Sequence, residues 1–507
     1  MSASQPNTDP DHVDVLIVGA GISGIGAAYH LQDKQPQKSY AIIEAREDLG
    51  GTWDLFRYPG IRSDSDLQTL GYAFKPWTGE KSIADGPAIK AYLRETAEEN
   101  GIDSQIRYGS RVVSAEFSTE TALWNIEIER VASGERYELT ARWLFSAAGY
   151  YRYDQGYMPH FDGLADFDGE IIHPQHWPED LDYAGKRVVI IGSGATAVTL
   201  APAMAAEAGK VAVLQRSPSY VLPVPEKDAL ANWLRKRIGP ERAYAIARRK
   251  NILRQRAVFG LSQRFPKSAR RLIRWVNRKE LAGSGCDVDV HFNPKYDPWD
   301  QRLCAVPDGD LYREIRLGNV EMVTDTIDRF TEHGILLDSG RELEADIIIT
   351  ATGLNLRPFG GVPMRVDDEP IVLADTVAYK GMMLSGVPNF VFAVGYTNSS
   401  WTLKVDLVCE YFCRLLGQLD RLGADAAEAT VTDPGMEVRP LLDFGAGYVL
   451  RALEQLPKQG TDYPWYLTMN YAKDARYLRT APLDEDMRFF SAAPVAQAVA
   501  VTEPTPA

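Results

Sequence analysis

Short unbroken apolar runs, each closed by a glycine-rich turn, alternate along this chain with longer segments whose apolar positions recur at helical spacing. Residues 13–18 form the first run, suited to a parallel strand buried on both faces, and Gly19, Gly21 and Gly24 follow at once. Residues 22–31 read as a helix and 40–43 as a second strand ending at Glu44, which completes a β-α-β unit. The pattern returns at 186–191, with Gly192, Ser193, Gly194, Ala195, Thr196, Ala197 and Val198 in the turn and helix start. A strand at 211–214 then leads to Gln215, Arg216 and Ser217. Between the two units, 88–100 reads as an amphipathic helix and 107–114, 124–129 and 143–148 as strands. Residues 335–337, 346–350 and 391–395 read as late strands, and 405–416 as a long helix. The pattern predicts an α/β chain with two Rossmann-like dinucleotide-binding domains and a helical insertion in the second. The first domain is expected over 1–150 and 386–490, and the second over 151–222 and 301–385. The insertion is placed at 223–300 and a disordered tail at 491–507, with residues 1–12 also expected to lack order.

The two units carry the same chemistry with one difference. In the first, Gly19 permits a tight turn, Gly21 lets a pyrophosphate approach the backbone, and Gly24 lets helix and strand pack closely. The helix N-terminus then offers free N–H groups and its positive dipole end to the phosphates. Glu44 follows Gly24 by the spacing at which a carboxylate accepts hydrogen bonds from ribose hydroxyls, and Val112 is placed to touch an adenine. At the matching strand end the second unit carries Arg216, whose forked guanidinium suits a 2′-phosphate. FAD is therefore expected at the first site and NADPH at the second.

Composition narrows the partners. A net charge of −14 over 507 residues argues against nucleic acid. Cys286, Cys304, Cys409 and Cys413 form neither a Cys-x-x-Cys pair nor a metal-ligand spacing and read as ordinary thiols, so no metal is expected. The polar N-terminus lacks the pattern of a signal peptide, and no apolar stretch reaches membrane-spanning length, so a cytoplasmic location is expected. Residues 227–280 differ from the rest, with 17 Lys/Arg against Asp228, Glu241 and Glu280 and apolar residues at helical spacing. Two readings stand for this segment: a solvated basic face over the cofactor domains, or a surface that meets anionic lipid or draws NADPH by its field.

The linker between the units carries Phe167, Gly169, His173, Trp177 and Pro178 in a spacing that resembles the fingerprint of type I Baeyer–Villiger monooxygenases. Gly50, Gly51, Trp53, Tyr58, Pro59, Gly60 and Asp64 resemble that family's second, longer signature, and Ala351, Thr352 and Gly353 fit as well. Several runs, among them 51–66 and 171–183, are similar to the mycobacterial ethionamide-activating branch. The resemblance implies an enzyme in which NADPH reduces FAD, oxygen is captured as a C4a-peroxide, and a ketone becomes an ester or lactone. Oxidation of sulfides or thioamides is also implied. It assigns Arg302 to hold negative charge on the peroxide and adduct, and Asp64 to orient that arginine. Cofactor contacts are implied for Ser23, for Thr52, Trp53, Asp54, Leu55, Arg62, Ser63 and Asp64, and for Trp465 late in the chain, besides the glycine-turn residues, Arg216 and Ser217. Gln301 departs from the lysine that relatives carry there, which leaves the 2′-phosphate more dependent on Arg216.

His173 reads either as a hinge anchor that couples domain rotation to NADP or as a core histidine, and Arg302 either as the catalytic cation or as half of a surface ion pair. The rival enzyme reading is a flavin-containing monooxygenase acting on nitrogen or sulfur without ketone activity. A binding protein that merely retains FAD would have no use for the pairing of Arg302 with Asp64. Substrate identity and oligomeric state cannot be read from the residues.

Overall fold

The computed structural model describes residues 11–301, 303–442, 445 and 447–492. The tail from 493 onward, residues 1–10 and Arg302 lie outside this set. The first strand, His12–Val18, sits between Tyr40–Ile43 and Arg136–Ser146 in parallel, and Val15, Leu16 and Ile17 are wholly buried. Burial on both faces explains why this strand is an unbroken apolar run. Helix Ile22–Lys34 and the long helix Thr402–Leu422 pack on one face of the sheet, in a core that includes Trp143, Phe145, Val408 and Phe412.

The same sheet continues through antiparallel strands Leu123–Arg130 and Ser110–Ser118. Here one face is wet: Trp124, Ile126 and Ile128 are buried while Asn125, Glu127 and Glu129 alternate outward. The expected strand over 107–114 is in fact two, Ile106–Arg107 and Ser110–Ser118, broken at Tyr108 and Gly109. The expected strand over 143–148 begins seven residues earlier, as Arg136–Ser146. Its first half, Arg136 to Arg142, buries only Leu139 and Ala141, so no apolar run marks it.

The second sheet is wholly parallel, in the order Val320–Thr324, Lys210–Gln215, Arg187–Ile191, Ile347–Thr350, Glu170–Ile172. The fingerprint segment is thus more than a linker, since its Glu170–Ile172 is the edge strand of this sheet. The chain re-enters the first unit earlier than residue 386: Met364–Val366 already pairs with Ser110–Ser118, and Leu356 and Phe359 pack into the first unit's core. Tyr220–Val224 and Leu303–Pro307 pair in parallel and flank the insertion, whose helices are Ala229–Ile238, Pro240–Arg264 and Pro266–Glu280.

Candidate active site

The first glycine turn is crowded. Gly19 has φ +103, and a Cβ there would lie 2.8 Å from the Ala147 carbonyl oxygen; one on Gly24 would lie 1.9 Å from the Gly19 carbonyl oxygen. Only glycine permits this turn. A second loop lies over it, for Gly50 donates its N–H to the Ala20 carbonyl (3.0 Å), and the Cβ position of Gly51 falls 3.2 Å from the Gly21 Cα. Glu44 joins the loops: its carboxylate accepts the N–H of Ala20 (2.8 Å) and of Arg46 (2.9 Å). Burial pushes this carboxyl up from its ordinary value, against the pull of the two N–H donors. A carboxylate has further lone pairs, so ribose hydroxyls remain within its capacity. The bare backbone at Gly21 and the free N–H groups at the start of Ile22–Lys34 fit a dinucleotide pyrophosphate.

The segment 50–64 does more than line this turn, because it joins the two units. A short helix, Thr52–Leu55, interrupts what reads from sequence as irregular loop. Leu55, Phe56 and Tyr58 enter the core of the second unit with Val188, Ile190 and Ala201. The Tyr58 hydroxyl is hydrogen-bonded to Thr196, and Arg57 pairs with Glu179 just past the fingerprint. Gly60, at φ +76, lies against helix Ala195–Met204, where a Cβ would come within 2.8 Å of the Ala203 Cβ. Arg62 pairs with Asp310 of the second unit at 2.5 Å. Asp54 is buried and held by Arg46 and Lys90, each at 2.5 Å; burial opposes its ionisation, but these cations hold it below the usual carboxylate range. The side chains of Arg62 and Asp54 are thus both engaged by protein partners. Trp53 packs, as Ile22 and Trp401 do, on a small core of Leu67, Leu70, Ala84 and Ile89, Thr52 bonds Tyr153, and Ser63 closes a turn on Ser65. Asp64 is exposed at the end of the segment.

The second turn is tight at its first glycine, where a Cβ on Gly192 would lie 2.4 Å from the Ala351 carbonyl oxygen, and open at its second. A Cβ on Gly194 would meet nothing within 4 Å, and helix Ala195–Met204 starts there with no side-chain cap. Ser193 accepts a hydrogen bond from Ser219 (3.0 Å), Ala197 and Val198 are buried beneath, and Arg216 and Ser217 are exposed at the strand end. No carboxylate among the described residues pairs with Arg216, which leaves its guanidinium available to an anion. Val112 lies buried at a bulge in Ser110–Ser118.

His173 ties the fingerprint to the return segment. Its Nδ1 accepts the Gln175 N–H (3.2 Å), so Nε2 carries the proton and donates to the Gly353 carbonyl (3.1 Å). Burial lowers its pKa, in agreement with a neutral ring. Gln175 donates to the Arg152 and Tyr153 carbonyls, and Thr352 to that of Tyr157. One expectation is corrected: the Trp465 side chain is 4% exposed, packs on Tyr379 and donates its indole N–H to Asp486 (2.9 Å), so it is spent on the core rather than a nucleotide. Cys409 and Cys413 are buried thiols whose pKa values burial raises, as ordinary core cysteines would be.

Sequence reasoning missed several residues around this cleft. Trp401 donates to Ser23 Oγ (2.8 Å), whose own O–H remains able to donate, and its ring lies 5.4 Å from that of Tyr150. Asp66, two residues past Asp64, is the buried acid of the region: it caps the Leu67–Leu70 turn and accepts from Asn251 (2.8 Å) and Gln255 (3.0 Å) of the insertion. An aspartate before Leu-Gln-Thr-Leu is an N-cap signal, but partners 185 residues away carry no local mark.

Comparison with known proteins agrees with this geometry. A family described as flavin-binding monooxygenase-like matches residues 83–378, and one described as an NAD(P)-binding Rossmann-like domain matches 17–80. The FAD-containing monooxygenase EthA of Mycobacterium tuberculosis is 54% identical over 481 residues, covering 94% of this chain and 98% of its own. EthA of Mycolicibacterium smegmatis is 51% identical over 482 residues, covering 95% of this chain and 97% of its own. A solved structure of oxidised steroid monooxygenase bound to NADP has a TM-score of 0.71 at 24% identity, covering 95% of this chain and 100% of that one.

Proposed function

The chain belongs to the flavin-binding monooxygenase-like family, and within it we propose an NADPH-dependent FAD monooxygenase of Baeyer–Villiger type, which inserts one atom of O2 beside a ketone carbonyl. FAD is assigned to the crowded first turn and NADPH to the open second one. The observation that carries the reading is the 50–64 segment, which covers the first turn and packs on the helix of the second, next to a linker bearing Phe167, Gly169, His173 and Trp177. An enzyme that passes a hydride from one dinucleotide to another needs its two sites held in such a register.

Bound FAD, once reduced by NADPH, supplies the activation of oxygen. The protein's part is to bind both nucleotides, exclude water, and stabilise negative charge as it develops on the oxygen atoms. Arg302 is assigned that charge, with Asp64 as its orienting partner. Arg216 is assigned the 2′-phosphate, a role supported by its exposure and its lack of a carboxylate partner among the described residues.

The test is a product assay. Purified protein given NADPH, O2 and a panel of linear, cyclic and aryl ketones should form esters. Arg302→Ala should still oxidise NADPH anaerobically through its flavin, yet lose ester formation by about 10²–10³. Turnover of thioethers without any ketone product would move the protein to the rival nitrogen- or sulfur-oxygenating class.

A further inference from the structure

Helix Pro240–Arg264 is amphipathic in the wrong sense for a soluble protein. Its inward face is polar: Tyr244 donates to the Tyr72 carbonyl (2.9 Å), and Arg248 to the carbonyls of Gln68 (3.0 Å) and Gly71 (2.7 Å). Asn251 and Gln255 reach Asp66 from the same face. Its outward face mixes basic and apolar side chains, with Ile246, Leu253 and Leu261 exposed, the last two at 61% and 60%. Phe265 at the helix end is exposed, and in the next helix so are Leu272 (60%) and Trp275 (59%). Isolated exposed leucines need no explanation, but a run of them opposite a polar buried face does.

Charge says what covers them. Arg242, Arg249, Arg256 and Arg264 alternate with the exposed leucines along the helix, and Lys267, Arg271 and Lys279 flank Leu272 and Trp275. None of these cations has a carboxylate partner among the described residues. Residues 227–280 carry 17 Lys/Arg and three acids in a chain whose net charge is −14. Leu, Phe and Trp separated by arginine and lysine make a surface for the headgroup boundary of an anionic bilayer, where cations meet phosphates while apolar side chains enter the acyl region. A second protein fits less well, because the core of a protein interface is depleted in charge. No helix among the described residues is long and apolar enough to cross a membrane, so the contact lies on the surface.

We propose that the outward face of helices Pro240–Arg264 and Pro266–Glu280 docks the enzyme on anionic phospholipid. Because the inward face of the first helix is bonded to 66–71, docking would set the second signature, and the cleft beside it, close to the lipid. That arrangement suits a lipophilic substrate. The proposal does not depend on the reaction type.

The experiment is co-sedimentation of the full chain with vesicles of phosphatidylcholine alone or with phosphatidylglycerol, at low and high salt. Binding is expected to the anionic vesicles and to weaken with salt. Leu253→Glu/Leu261→Glu should lower it about tenfold or more, and Arg249→Glu/Arg256→Glu should abolish the preference for anionic lipid. Both variants should keep their flavin content and NADPH oxidation; should the leucine variant fail to fold, Trp275→Ser serves in its place. Absence of binding at low salt, or equal and salt-insensitive binding to both vesicles, overturns the proposal. Self-association without vesicle binding, lost in the leucine variant, overturns it in favour of a second copy of the chain.

Discussion

The two glycine turns descend from the same pattern of residues but are built to different tolerances. At the first, backbone stands on backbone: Gly24 against Gly19, Gly51 against Gly21, with a buried Glu44 joining the loops. At the second, Gly192 is crowded in the same way by the Ala351 carbonyl, but no loop covers Gly194, which faces open space, and Arg216 stands exposed. A ligand at the first turn would lie against the 50–51 loop, whereas one at the second would meet open space at Gly194. The difference matches a cofactor that stays, as FAD does in the proposed cycle, and one that must exchange at every turnover, as NADPH does.

Adding one methyl group to each turn is the most forceful way to break this comparison. Gly24→Ala would place a carbon 1.9 Å from a backbone oxygen that cannot swing aside, with Ile17 at 3.4 Å behind it. The expected cost is at least about 3 kcal/mol, because relief requires backbone movement beyond ordinary overpacking. Flavin per protein after gel filtration should fall to near zero, with a large drop in thermal midpoint. Gly194→Ala should leave both unchanged and weaken only NADPH binding, since the open space is where a pyrophosphate would approach. Equal losses in the two variants would remove the distinction between enclosed and open sites.

Arg216→Ala sharpens the comparison at the strand ends. Only NADPH carries the 2′-phosphate, so its Michaelis constant should rise while that for NADH stays put. A charge-assisted contact is worth about 1.5–3 kcal/mol, or roughly ten- to hundredfold. Steady-state kinetics with both nucleotides decides it, and parallel changes would show that the phosphate is held elsewhere. Glu44, at the equivalent place in the first unit, should have no influence on this ratio.

Both turns, the central parallel strands and the insertion were legible because each is announced locally, by an apolar run, glycines at fixed spacing or a block of cations, whereas the outer strands Glu170–Ile172 and Val320–Thr324 were not read. The antiparallel strand Arg136–Ser146 was only half legible, since its first residues alternate and lack a run. What joins the units was not legible. Arg62 with Asp310, Tyr58 with Thr196, and Asp66 with Asn251 are separated by 248, 138 and 185 residues, and no local signal distinguishes such partners from surface polar residues. The same blindness assigned Trp465 to a nucleotide, whereas its indole serves a core that the chain assembles from 379 to 486. Motif matching finds the glycine turns and signature loops more readily than the long-range pairs that orient one unit on the other.

The smallest expected effect lies between the two turns, at His173. Its ring bridges the fingerprint to Gly353 through one accepted and one donated hydrogen bond, which only the neutral form can make. Burial lowers its pKa in the folded protein, so an unfolded chain takes up the proton first. The contribution of this contact is therefore complete above about pH 6.5, the ordinary histidine value, and declines as the pH falls below it. His291 is also lowered by burial, so wild-type acid sensitivity alone is ambiguous. The difference between wild type and His173→Ala isolates the residue. If His173 anchors a hinge that holds NADP in place, the variant should keep its FAD yet release more hydrogen peroxide per NADPH consumed. Two hydrogen bonds of about 0.5–1.5 kcal/mol each set the scale, so the ratio of ester to NADPH should fall at least about twofold. Because the folded ring holds off its proton until the pH passes its lowered value, the wild type should keep its ratio at pH 6.5 and drift toward the variant's only at more acid pH, while the variant lacks that drift. A variant whose thermal midpoint drops but whose ratio is unchanged at every pH would make His173 a core residue and place the coupling between the turns in the 50–64 segment alone.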